Sequence, residues 1–122
     1  MKKNIYLVED DNDINDLIKY LLSDVGYSVL SYTTMTAFKQ ALEIALPDLI
    51  ILDIMLPDGD GVEICRELKS IENMQKIPIF LISAHINGRK MALEACADDF
   101  ISKPFDINDF TTRVQQKMAF VN

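Results

Sequence analysis

Apolar residues along the chain fall into two alternating patterns, short unbroken runs and longer stripes of helical period. Ile5-Tyr6-Leu7-Val8 ends at Glu9 and Asp10, Leu49-Ile50-Ile51-Leu52 ends at Asp53, and Ile77-Pro78-Ile79-Phe80-Leu81-Ile82 ends at Ser83. Runs of this length without polar alternation predict strands covered on both faces. Pro78 stands near the start of its run, where a missing N–H is tolerated. Tyr27 to Leu30 and Asp99 to Ile101 are weaker strand candidates.

Between the runs the period becomes helical. Ile14, Leu17, Ile18, Leu21, Leu22 and Val25 form one apolar stripe, with Asp11 placed to cap it and Gly26 to end it in the left-handed conformation. Ala37, Phe38, Ala41, Leu42 and Ala45 predict a second helix that stops before Pro47, and Val62, Cys65 and Leu68 a third. A short fourth spans Lys90 to Ala95, and Ile107, Phe110, Val114 and Met118 mark a fifth with Asp106 as its N-cap. A strand followed by a helix five times over predicts an α/β fold, a parallel sheet with helices on both faces, and right-handed crossovers make it a doubly wound sandwich.

Composition narrows the class. The 122 residues suit one domain, here taken as residues 1–122, and 49% hydrophobic with 25% charged residues is the balance of a folded soluble protein. The apolar stretch after Met1-Lys2-Lys3 runs into Glu9 and Asp10, too short for a signal peptide, and no segment approaches a membrane span. Cys65 and Cys96 form no C-x-x-C pair and lie in apolar helical patterns, so they are expected to be small buried hydrophobes in a reducing, cytoplasmic setting. A net charge of −7 without a Lys/Arg cluster argues against direct nucleic-acid binding and for protein partners.

The polar residues that matter stand at strand ends. Glu9 and Asp10 follow the first strand, Asp53 ends the third, Ser83 ends the fourth and Lys103 follows the fifth. In a parallel sheet these are all carboxyl ends, where open α/β sheets bind their ligands. Three carboxylates on one edge call for a raised pKa or a shared cation, and oxygen-only donors favour a hard ion, Mg²⁺ above others. A carboxylate can also act as a nucleophile toward phosphorus, with Mg²⁺, an ammonium and a hydroxyl neutralising the transferring oxygens.

Leu7-Val8-Glu9-Asp10-Asp11, Asp53 to Gly61, Ser83-Ala84 and Asp98 to Phe105 resemble the signature segments of two-component response regulator receiver domains, in the same order over essentially the whole chain. The resemblance implies a flavodoxin-like (βα)5 fold with a five-stranded parallel sheet in the order 2-1-3-4-5. It implies Asp53 as phosphoacceptor, Asp10 and Asp53 as direct Mg²⁺ ligands, Glu9 orienting a metal-bound water, and the backbone carbonyl of Met55 completing the protein's share of the metal shell. Lys103 would hold the phosphoryl oxygens, with a cis Lys103-Pro104 bond, and Ser83 and Phe100 would form the switch pair. Such a chain takes its phosphoryl group from a sensor histidine kinase or a histidine phosphotransfer protein. It catalyses only its own phosphorylation and dephosphorylation. It passes the signal to an effector domain or protein through the surface of the fourth helix, fifth strand and fifth helix, where a homodimer can also form.

The chain departs from the family pattern at two places. Cys96 replaces the glycine that closes the fourth helix, so that helix is expected to end differently, and the segment from Ser83 to Lys103 is about two residues short. Gly59 and Gly61 read as turn residues, and His85 as a plain loop residue. An Mg²⁺-dependent phosphohydrolase of haloacid-dehalogenase type would need a second Asp at position 55, where Met stands. A flavin carrier would need a Gly- and hydroxyl-rich phosphate loop in place of Glu9-Asp10-Asp11. The apolar ending Phe120-Val121-Asn122 favours the receiver portion of a longer protein over a stand-alone regulator.

Overall fold

The computed structural model describes residues 2–121, so Asn122 lies outside the described residues. Five strands, β1 (Asn4–Val8), β2 (Ser28–Tyr32), β3 (Leu49–Asp53), β4 (Ile79–Ser83) and β5 (Asp99–Ser102), alternate with five helices. The helices are α1 (Asn12–Asp24), α2 (Met35–Ile44), α3 (Gly61–Lys69), α4 (Gly88–Glu94) and α5 (Ile107–Met118). The sheet is parallel throughout, in the expected order β2-β1-β3-β4-β5. A two-residue antiparallel hairpin, Met55–Leu56 with Gly59–Asp60, joins β3 to α3.

Alternate strand residues face opposite layers, and two cores result. Ile5, Leu7, Leu49, Ile51, Phe80 and Ile82 pack against Ile18 and Leu22 of α1 and Phe110, Val114 and Met118 of α5. Their neighbours Tyr6, Val8, Ile50, Leu52, Ile79 and Leu81 pack against Phe38 and Leu42 of α2, Cys65 and Leu68 of α3, and Ala92 of α4 with Ala95 just past its end. Strands buried on both faces are the reason their sequences read as unbroken apolar runs.

Four of the five helix starts follow from side chains that take otherwise free N–H groups, α4 being the exception. Asp11 Oδ1 accepts from Asp13 N–H and Ile14 N–H at 3.0 and 3.1 Å, and Asp106 accepts from Asp109 N–H at 2.8 Å, both as expected. Thr34 and Asp60 cap α2 and α3 in the same way. The N-terminus of α2 has a second clasp, because Asp58 accepts from Met35 N–H, Thr36 N–H and the Thr36 hydroxyl at 2.7–3.0 Å. These bonds hold the Asp58 carboxyl below the usual carboxylate range.

Several expectations need correction. Of the first apolar stripe, Leu17 on α1 and Val25 at its C-cap are 39% and 37% exposed, while Asn15 is buried in their stead with Ile18 and Leu22. Apolar spacing could not reveal this, because Asn15 is held by hydrogen bonds. β2 runs two residues beyond Leu30, and β4 starts after Pro78. α2 and α4 each begin two residues before their first expected position. Cys65 is buried, with Sγ 3.5 Å from the Ala95 carbonyl oxygen, and burial pushes its thiol up to about 11. Cys96 is exposed rather than buried. Its φ of 61° also shows that α4 closes in the family's left-handed way without the glycine. Gly26 ends α1 with φ of 99°, and the Lys103-Pro104 bond is cis, both as expected.

Candidate functional site

The sheet ladder continues one residue past several strands and so brings the functional side chains to one edge. Glu9 N–H donates to the Tyr32 carbonyl at 3.0 Å, Ile54 N–H to Ile82 at 3.0 Å and Lys103 N–H to Ser83 at 2.9 Å. Gly61 allows the loop after Asp53 to fold back: a Cβ there would lie 2.3 Å from the Asp53 carbonyl oxygen. Asn15 anchors the other side, its Nδ2 donating to the Glu9 carbonyl at 2.9 Å.

At this edge Lys103 Nζ lies 2.7 Å from Asp53 Oδ2 and 2.5 Å from Glu9 Oε1. Asp53 Oδ1 accepts from Met55 N–H at 3.0 Å, and Glu9 Oε2 from Asp11 N–H at 3.2 Å. Glu9 and Asp53 are buried, Asp10 is exposed at the rim, and carboxylate oxygens of all three lie within 4.8 Å of one another. Burial, and then the nearby Asp53, push Glu9 up to about 7. Burial works to lower the Lys103 ammonium, but the hydrogen-bonded Asp53 carboxylate and the Glu9 carboxylate against it outweigh burial and raise its pKa.

The donor set fits a hard divalent cation. With all three carboxylates ionised, a single ammonium leaves two negative charges, and the ligand atoms are all oxygen. Glu9 Oε1 is fully buried and sits against Lys103 without the directionality of a hydrogen bond, so it is an acceptor with unused capacity. Met55 presents its side chain to solvent, 67% exposed at the mouth of the site.

The two residues expected to form the switch pair stand on the adjacent strands β4 and β5, where Ser83 pairs with Ser102 and Phe100 with Leu81. Ser83 is buried at the end of β4, and its Oγ accepts from His85 N–H at 2.9 Å. Phe100 is 5% exposed, with its ring in the core beneath α4. Asn15, Asp58 and Gly88 also shape the site. The signals for them were faint: a polar residue inside an apolar stripe, an acid after Pro57, and a glycine opening a short helix.

Residues 5–115 match the profile described as the response regulator receiver domain. The transcriptional regulatory protein GltR of Pseudomonas aeruginosa is 36% identical over 115 residues, covering 93% of this chain and 48% of that protein. The signal receiver domain of a signal transduction histidine kinase from Syntrophus aciditrophicus superposes with a TM-score of 0.89 at 30% identity, over 96% of this chain and 90% of that one. The receiver domain of a Pseudomonas aeruginosa sensor histidine kinase, with a magnesium ion coordinated in its active site cleft, gives 0.87 at 27% identity over 98% and 99%. The chain spans about half the length of the curated relatives it matches. No helix among the described residues is long and apolar enough to cross a membrane. Fold, acidic edge and relatives agree, and the chain belongs to the response regulator receiver domain family, the phosphoacceptor switches of two-component signalling.

Proposed function

We propose that Asp53 is the phosphoacceptor, that Glu9, Asp10, Asp53 and the Met55 carbonyl serve a Mg²⁺ site, and that Lys103 and Ser83 receive the phosphoryl oxygens. The observation that carries this reading is the half-buried contact between Lys103 Nζ and Asp53 Oδ2 at 2.7 Å, beside two further carboxylates. An Asp53 oxygen attacks phosphorus as the bond to the donor nitrogen breaks. The Met55 N–H orients the carboxylate for this step, and Lys103 neutralises charge on the oxygens. When bound, Mg²⁺ supplies the remaining positive charge that a dianionic phosphoryl group needs beside acids.

On this reading the donor is a sensor histidine kinase or a histidine phosphotransfer protein, and residues 1–122 form the receiver unit. The only chemistry is the gain and loss of the chain's own phosphoryl group, in the cytoplasm. Output leaves through α4, β5 and α5 to an effector domain or protein, or through a homodimer on that face, while the chain's negative charge keeps it off nucleic acid.

Incubation with phosphoramidate and Mg²⁺ is expected to add one alkali-labile phosphoryl group that peptide mapping assigns to Asp53. Asp53→Asn is expected to take up none. Uptake by Asp53→Asn at the wild-type rate would move the acceptor elsewhere.

A further inference from the structure

We propose that Gly88 and Arg89 are positioning residues for Phe100. The bare Cα of Gly88 leaves open the seat that the ring fills beside Ser83, and the Arg89 guanidinium closes over the ring, so the switch rests inward before any phosphoryl group arrives. The inference deepens the proposed switch and rests on that reading of Ser83 and Phe100.

The seat is defined by what a side chain at position 88 would meet. A Cβ there would lie 2.5 Å from Phe100 Cζ, 2.7 Å from Cε1 and 3.4 Å from Ser83 Cβ. The first two distances are shorter than carbon atoms tolerate, so an inward ring and an alanine at 88 exclude each other. The atoms met belong to the far end of a side chain, so the ring yields and the backbone need not. The conformation gives no other reason for glycine. Gly88 opens α4 without the positive φ seen at Gly26, and alanine is the better helix former. Room for the ring is what the residue provides.

The cover is defined by Arg89, whose guanidinium carbon lies 5.6 Å from the Phe100 ring centroid, within range for a cation on an aromatic face. Arg89 is exposed and takes part in none of the salt bridges among the described residues. Phe100 has no phenol oxygen to anchor it inward. Burial in the core cluster that also holds Ala92 and Ala95 and the cation on its face take over that task. Ser83 Oγ meanwhile accepts from His85 N–H at 2.9 Å, so the ring is seated while the hydroxyl is engaged within its own loop. A ring already inward leaves a phosphoryl group only the remaining outward population to convert.

Fluorine NMR on the unphosphorylated, Mg²⁺-free chain carrying 4-fluorophenylalanine tests this. The Phe100 resonance is assigned among the six phenylalanines by Phe100→Leu. Wild type is expected to show it in a buried environment, shielded from a soluble paramagnetic agent. Gly88→Ala is expected to lower the ratio of inward to outward ring about tenfold or more. Arg89→Gln is expected to lower it about two- to fivefold. Gly88→Ser places the same Cβ and is expected to repeat the alanine result if Gly88→Ala melts early. A Phe100 resonance unchanged in both Gly88 variants, or solvent-exposed in wild type, overturns the proposal. The seat is read without phosphorylation, so failure of Asp53 to label with phosphoramidate would sink the phosphoacceptor assignment and leave the ring result to decide this one.

Discussion

Glu9 is fully buried beside Asp53, and the folded protein holds its proton more tightly than the unfolded chain does: burial and then Asp53 move it from 4.5 up to about 7. Between these values the native state binds more protons than the unfolded state, so stability of the metal-free protein falls as pH rises from about 4.5 to about 7 and levels off above. Lys103 does not offset this. Its raised pKa adds stability that is complete at neutral pH and is lost only in the alkaline range, above its ordinary 10.5. A cation held by the three carboxylates needs Glu9 ionised, so Mg²⁺ binding expels the proton and is expected to be weaker near pH 6 than near pH 8. Urea denaturation across this range, with and without Mg²⁺, checks both statements. Glu9→Gln is expected to abolish the metal-free slope and to raise metal-free stability near pH 8 by about 1–2 kcal/mol, because a buried carboxylate is replaced by a neutral isostere. Stability that rises with pH through this window without metal would show that the Lys103 contact outweighs burial at Glu9.

At the scale of single elements, α4 carries the clearest strain. Its left-handed closing residue is Cys96, with φ of 61°, where a Cβ crowds the backbone and glycine would not. Cys96→Gly is therefore expected to raise stability by up to about 1 kcal/mol, the relief exceeding the added chain entropy of a glycine. Thermal melting that falls instead would mean the exposed thiol makes a contact worth more than the strain. Elements of this chain were legible in proportion to how locally their cause is written. Unbroken runs foretold β1, β3 and β4, and Asp11 and Asp106 foretold two helix starts, because strand burial and capping depend on adjacent residues. The acids, Lys103 and Ser83 could be placed together from strand ends alone, since a parallel sheet sends all carboxyl ends to one edge. Asn15, Asp58 and Gly88 could not. Asn15 answers to the Glu9 carbonyl, Asp58 to residues 35 and 36, and Gly88 to the Phe100 ring, and apolar periodicity registers neither a hydrogen bond nor the room a ring needs.

For the whole molecule, the governing feature is that one sheet serves two cores. Leu22 of α1 and Leu68 of α3 are buried on opposite faces and belong to separate clusters, yet each packs on strands whose alternate residues belong to the other. A void on either face loosens a sheet that the opposite face also needs, so the chain is expected to unfold as one unit. Leu22→Ala and Leu68→Ala are each expected to cost about 2–5 kcal/mol, the spread reflecting how far the surroundings close around the gap. Both variants are expected to keep the wild-type urea dependence, with only the midpoint displaced. The chain has no tryptophan, so far-UV circular dichroism should be compared with methyl NMR signals from one residue per face, Ile18 and Ile64. Coincident transitions at all three probes are the expected result. A Leu68→Ala protein in which the Ile64 signal collapses while Ile18 still reports a folded face would mean that the layer of α2, α3 and α4 melts by itself. The acidic edge would then gain its order from α1 and α5 alone, and Mg²⁺ would protect the Ile18 face without moving the Ile64 transition.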